Sequence, residues 1–173
     1  GPVWWSDDTQ LRLADLEREY ENLHAALRWL TQAMAADTAQ QLAGALAFFW
    51  ILRGRVSEGR GWLRRVLELP SSGAGSDLAR ASALVGLVHV ETLTAERLQA
   101  QATATAGLDA ARVVGNAPLL AQALLGRGWL TWFVDHDFST ARAQLHEALG
   151  IAEAADLQGL AAVIRERLAA LLC

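Results

Sequence analysis

An internal repeat of helical hairpins is the feature that most constrains how this chain can fold. The segment ALVG at 83–86 returns as ALLG at 123–126, 40 residues later, and Leu108 and Leu149 on the segments that follow lie 41 residues apart. In each copy an apolar segment is followed by a tight turn and a more polar segment. One such hairpin cannot bury its apolar faces alone, so we expect the copies to stack and bury a continuous core.

Helical spacing of apolar residues runs along the whole chain, whereas strand signals are nearly absent. Ala and Leu dominate, β-branched residues are sparse, and alternating runs are short. The pattern predicts an all-α fold, a right-handed superhelical stack of antiparallel helix hairpins with about eight helices. The predicted elements are an N-terminal helix at about 9–35, hairpins at about 38–70, 77–115 and 117–156, and a C-terminal helix at about 157–172.

Composition argues against several classes of function. The net charge is −4 and all 15 basic residues are Arg, with no basic run, so direct contact with nucleic acid is not expected. The single Cys cannot form an internal disulfide, no apolar run is long enough to span a membrane, and no signal peptide is visible, so we expect a cytoplasmic protein that does not bind membranes. Residues 1–2 are read as a cloning scar and 3–173 as one domain.

The hairpin at 38–70 resembles a tetratricopeptide repeat. Small residues stand where helices would cross, and large residues stand where they would diverge. The matching positions are Leu46, Ala47, Trp50, Gly54, Gly59, Leu63 and Val66. In the third copy the same frame takes Trp132, Phe138, Ala141, Leu145 and Ala148, with His136 in place of the turn glycine. The middle copy keeps Gly86 but has TLTAE at 92–96 where the turn glycine would be, so the repeats are tetratricopeptide-like.

A narrower resemblance covers 16–30 and 42–70. These segments look like the repeat region of large bacterial signalling ATPases and LuxR-type or antibiotic-regulator-type multidomain transcriptional regulators. The residues that carry the match are Leu16, Glu19, Asn22, Leu23, Ala25, Ala26, Leu27, Trp29, Gly44, Trp50, Arg53, Gly54, Glu58, Gly59, Trp62 and Leu63. The resemblance implies a region that senses a ligand or partner and controls an adjoining module.

No catalytic or metal-binding motif is present. The chain has no Lys and hence no phosphate-binding GxxxxGK[ST] loop, and it has neither HExxH nor GxSxG. The four His residues are scattered over separate predicted helices and turns, which does not suggest a metal site. The sequence therefore predicts a non-enzymatic domain without a cofactor or metal.

Polar and aromatic residues on the predicted first helices of the hairpins form the candidate site. His89, Glu91 and Arg127 interrupt apolar helices, and a buried polar group there costs free energy unless it is paired or hydrated. The candidate binding residues in the concave groove are Phe48, His89, Glu91, Arg127, Trp129 and Phe133. The alternative is structural: Arg127 and Glu91 would form an ion pair between adjacent helices, and the aromatic residues would be core.

Three functions are left open by the sequence. The first is a sensor and protein-interaction domain that binds a protein or peptide segment in its concave groove, including another domain of the same parent chain. The second is a small-molecule sensor, whose effector would bind in an aromatic pocket formed by Phe48, Trp129, Phe133 and the three polar residues. The third is a structural spacer or dimerisation module. A closed apolar pocket would favour a small molecule, and an open wet groove would favour a peptide.

Overall fold

A computed structural model describes the backbone of residues 7–70, 75–94 and 97–171. All regular secondary structure in these ranges is α-helical, as the sequence predicts. The described helices are α1 Asp7–Arg18, α2 Tyr20–Gln32, α3 Ala36–Leu52, α4 Val56–Leu67, α5 Ser76–Glu91, α6 Arg97–Val114, α7 Ala117–Phe133, α8 Phe138–Ala154 and α9 Gln158–Ala170. None of them is long and apolar enough to cross a lipid bilayer.

The three predicted hairpins correspond to α3–α4, α5–α6 and α7–α8, and α9 corresponds to the predicted C-terminal helix. The first helices of the hairpins, which we call the A-helices, stack in the order α3, α5, α7, and α9 contacts α7 as the next member. Their exposed surface is the A-helix face. Each A-helix also packs against the second helix of its own hairpin, so the chain forms a stack of hairpins.

The prediction of one N-terminal helix at 9–35 is wrong, because this segment forms two helices. Glu19 has φ −88° and ψ 1°, well away from the helical ψ of about −42°, and it separates α1 from α2. Helix α2 then ends at Gln32, and Met34 takes a left-handed φ of 55° before α3 begins. The described part of the chain therefore contains nine helices where about eight were predicted.

Close helix crossings require small residues in the stack. A Cβ placed on Gly44 of α3 would lie 2.9 Å from the backbone carbonyl carbon and oxygen of Ser82 on α5. One turn later on α5, a Cβ on Gly86 would lie 3.0 Å from Cβ of Ala47. Since backbones approach at both points, α3 and α5 form one closely packed layer, and the side chains along their common edge project together onto the A-helix face.

The core divides between the two halves of the stack. One cluster of buried apolar residues connects α1–α5, and a second connects α5–α9. Trp50 is the largest fully buried side chain of the first cluster, and its indole N–H donates to the Tyr20 hydroxyl at 3.1 Å. Trp132, at a packing position of the predicted third repeat, is only partly buried, and Phe138 is exposed. The large residues of the repeat pattern are therefore more deeply buried in the first hairpin than in the third.

Candidate functional site

An aromatic cavity of about 360 Å³ opens on the A-helix face. Residues from α3, α5, α7 and α9 all contribute to its walls, together with the turn that follows α5. The apolar walls include Phe48, Ile51, Leu93, Leu125, Trp129 and Val163, and the polar residues are His89, Thr92 and Arg167. A partly enclosed apolar cavity with a few converging polar groups is typical of a ligand site.

Gly126 positions one wall of the aromatic cavity. A Cβ at this residue would lie 2.7 Å from Cγ1 of Val88 and 3.5 Å from Cε1 of His89, so only glycine lets α7 approach α5 this closely. The approach brings His89 on α5 and Trp129 on α7 to the same cavity. Helix packing therefore gathers aromatic side chains that lie 40 residues apart in sequence.

His89 is a neutral wall of the cavity. Its ring lies 5.2 Å from the ring of Phe48, and its Nε2 is buried without a hydrogen-bond partner. Burial lowers the pKa of His89 to about 4; a hydrogen bond with the backbone of Gln122 opposes this shift, and the charge of Arg167 adds to it. The imidazole is therefore uncharged at neutral pH. The ring donates its N–H to the backbone of Gln122 and Nε2 has no partner, so Nε2 carries the lone pair of the neutral ring.

Arg167 supplies the positive charge of the cavity. Its guanidinium carbon lies 4.3 Å from the centre of the Trp129 ring, at cation–π distance. Trp129 is held in turn by Trp132 and Phe133, whose ring centres lie 4.8 Å and 5.1 Å away. Among the residues described as lining this cavity, Arg167 is the one charged side chain and no carboxylate accompanies it.

The structure brings together three of the six predicted site residues. Phe48, His89 and Trp129 all line the aromatic cavity. Phe133 supports Trp129 from behind and is 41% exposed, but it is not among the lining residues. The sequence did not predict Arg167, because neither of the two Arg residues in the RER segment at 165–167 shows from its position that it has a partner on α7.

The other two predicted residues lie elsewhere, and the predicted Arg127–Glu91 ion pair is absent. Glu91 is fully buried and accepts from Arg64 of α4, with Nη2 and Oε1 at 2.8 Å. Arg127 lies near Asp135, with Nη1 and Oδ2 at 3.9 Å. Residues two apart on a helix are rotated by about 200° from each other. His89 and Glu91 therefore leave α5 on opposite sides, as do Trp129 and Arg127 on α7.

A second cavity of about 390 Å³ continues the A-helix face, and we call it the polar cavity because a larger share of its lining is polar than in the aromatic cavity. It lies between α3, α5 and the first turn of α7, and its polar residues include Gln41, Ser82, Asn116 and Gln122. Phe48 lines both cavities, so the two form one interrupted groove. Asn116 is also the N-cap of α7, since its side chain accepts from the backbone N–H of Leu119 at 3.0 Å.

No protein-family model matches this chain, and no curated protein is significantly similar to it. Within the described ranges, no three His, Cys, Asp or Glu residues lie together in a way that could hold a metal ion. The features of the described structure that bear on function are the helical stack and the two cavities on its A-helix face.

Proposed function

We propose that this chain is a non-catalytic helical-repeat sensor domain of a bacterial multidomain signalling ATPase or transcriptional regulator, and that it binds a small-molecule effector in the aromatic cavity. The observation that carries the proposal is this partly enclosed cavity of about 360 Å³ with mainly apolar walls. Its volume falls in the range of about 300–1,000 Å³ that is usual for small-ligand sites. The sequence favours a protein or peptide segment as the ligand. The partial enclosure of the cavity favours a small molecule instead.

The position of the cavity suits a sensor. Phe48 belongs to the first hairpin, His89 to the second, Trp129 to the third and Arg167 to the C-terminal helix. A ligand that touches all four elements stabilises one arrangement of the stack relative to others, in proportion to its difference in affinity for them. Because stacked repeats contact mainly their neighbours, a small change at each junction adds up along the stack and can reach an adjoining domain.

A protein or peptide segment is the second candidate ligand, and the polar cavity favours it. The two cavities share Phe48 and together form a groove longer than one small molecule needs. An extended peptide could place an apolar side chain in the aromatic cavity and present its backbone to Gln41, Ser82 and Gln122. Another domain of the same parent chain is included among such partners.

Titration with a panel of metabolites tests the proposal, with intrinsic Trp fluorescence and melting temperature as readouts. We expect one compound to cause saturable quenching and a rise in Tm, because Trp129 lies in the cavity wall and a ligand stabilises the state it binds. Phe48→Ala should weaken binding. Arg127→Ala is the matched control, since it removes a charge from an A-helix outside the cavity.

Two outcomes would argue against a small-molecule sensor. Binding that persists in Phe48→Ala would place the ligand elsewhere. No response to any compound, together with capture of a peptide that depends on Phe48 and Gln41, would support the peptide candidate, and failure of both would leave the spacer or dimerisation module.

A further inference from the structure

We infer that the aromatic cavity takes an amphipathic organic monoanion, whose carboxylate pairs with Arg167 and whose apolar body packs between Phe48 and Trp129. This inference rests on the proposed function and names the chemical class of the effector. It depends on the charge of the cavity, the orientation of Arg167, the neutrality of His89 and the available volume.

The charge of the cavity is unbalanced. Arg167 forms no ion pair with any residue that the structure describes, and the described lining holds no Asp or Glu. Elsewhere in the stack, by contrast, Arg side chains between helices have carboxylate partners. Arg55 pairs with Glu17 at 2.8 Å, and Arg64 pairs with Glu91 at the same distance. An anion from outside would give Arg167 the partner that those arginines find within the chain.

The stacking of Arg167 on Trp129 prepares it for a carboxylate. The guanidinium carbon lies 4.3 Å from the centre of the Trp129 ring. A planar guanidinium that contacts a ring through its face keeps its N–H edge available, because its N–H groups point outward in that plane. That edge matches the two oxygens of a carboxylate in a bidentate pair. Contact with the indole also limits the side-chain motion that binding would otherwise have to freeze.

His89 restricts the ligand to a single compact anion with an apolar body. The neutral ring adds no second positive charge, so the cavity offers one cation and is matched to one negative charge. The remaining walls are mostly apolar, which excludes sugars and nucleotides as the main body of the ligand.

The volume limits the body of the ligand to one or two aromatic rings or a medium-length acyl chain. The cavity measures about 360 Å³ and lies near the lower end of the usual range of roughly 300–1,000 Å³. Phenylacetate, indole-3-acetate and octanoate represent these bodies and carry one carboxylate each. Their amides keep the same shape without the charge, so the three acid–amide pairs isolate the contribution of the anion.

Isothermal titration calorimetry of the purified chain with the three acids and their amides tests the inference. We expect at least one acid to bind saturably and its amide to bind at least about tenfold more weakly, because a charged pair at a partly buried site is worth at least ~1.4 kcal/mol. Arg167→Gln should weaken the binding of the acid by the same factor. Arg167→Lys should retain part of the affinity that Arg167→Gln loses.

Arg165→Gln is the matched control, because it removes the same charge from the same helix. Arg165 pairs with Glu153 outside the cavity. The substitution should change acid binding less than about twofold, and circular dichroism should confirm that both variants fold. If acid and amide bind equally well and Phe48→Ala abolishes binding of both, the inference that the ligand is an anion is wrong. The proposal that the aromatic cavity binds a small molecule would still hold. If none of the three acids binds, the inference is also wrong. The titration with the metabolite panel tests the proposed function independently of this result.

Discussion

The first and third hairpins follow the same repeat frame but fill it with different side chains. In the first, α3 presents Trp50 and α4 offers Gly59, whose Cβ would lie 2.8 Å from the indole ring. In the third, α7 offers Gly128 and α8 presents Leu145, 3.1 Å from the corresponding Cβ position. In the repeat frame, Gly128 and Leu145 match Leu46 and Leu63 of the first hairpin. Trp50 is matched by Trp132, which is only partly buried. The third hairpin therefore leaves Trp132 partly exposed and in contact with Trp129 of the cavity wall, with the two ring centres 4.8 Å apart.

Replacing Trp50 and, separately, Trp129 with leucine should distinguish a packing role from the proposed binding role. We expect the largest effect on stability from this pair of substitutions. Trp50 is 0% exposed and hydrogen-bonded to Tyr20, so Trp50→Leu should lower the free energy of unfolding by about 3–5 kcal/mol, as for other large-to-small core changes. Trp129→Leu should cost about 1 kcal/mol and instead abolish ligand quenching. Urea denaturation measures both, and equal losses of stability would break the comparison.

His89 should make the cavity half of the molecule sensitive to acid. Its pKa of about 4 in the folded state lies below the usual 6.5, so the unfolded chain binds more protons between these values. Stability is therefore complete above pH 6.5 and falls as the pH drops toward 4. At ~1.4 kcal/mol per pKa unit the loss approaches ~3 kcal/mol.

The test compares unfolding free energies of the wild type and His89→Gln at pH 7 and pH 4.5. The variant lacks the titrating ring, so its stability should fall less over this interval, and the difference between the two proteins isolates His89 from the carboxylates. Parallel pH profiles would show that the ring does not remain neutral in the fold.

The Gly59 crossing offers a matched pair of substitutions on one helix. Gly59→Ala would bring a methyl group within 2.8 Å of Trp50, whereas Gly61→Ala would meet no atom within 4 Å. We expect Gly59→Ala to destabilise by about 2 kcal/mol through overpacking. We expect Gly61→Ala to stabilise by about 0.5–1 kcal/mol, because alanine loses less backbone entropy in a helix. Chemical denaturation of both decides, and an effect of the same sign in the two variants would contradict the packing argument.

Local patterns predicted most of the fold. Apolar periodicity located the hairpins, and Gly54 and Gly115 end α3 and α6 at left-handed φ values of 69° and 68°. The break between α1 and α2 was missed because the unusual backbone angles of Glu19 leave no mark in residue type. The left-handed turn at Met34 was missed for the same reason.

The candidate site was predicted in part. Phe48, His89 and Trp129 were found because aromatic and polar residues interrupt or follow the apolar stripe of an A-helix. Glu91 was grouped with them because spacing along the chain was considered without rotation about the helix axis. Arg167 depends on which helix follows the third hairpin and on how it docks, which is a long-range property that periodicity does not contain.

The turn of the third hairpin gives the smallest expected effect and extends the comparison to the backbone. The first hairpin turns at Gly54, with φ 69°, and the third turns at His136, with φ 54°. A left-handed conformation costs a residue with a Cβ about 1 kcal/mol or more, and the cost is nearly absent for glycine. His136→Gly should therefore raise the free energy of unfolding by about 0.5 kcal/mol, after the greater entropy of glycine in the unfolded chain is subtracted. Gly54→His should lower it by about 1 kcal/mol in the first hairpin. Tm measurements on the two reciprocal variants check the pair, and shifts of the same sign would show that the two turns are not equivalent positions of one repeat.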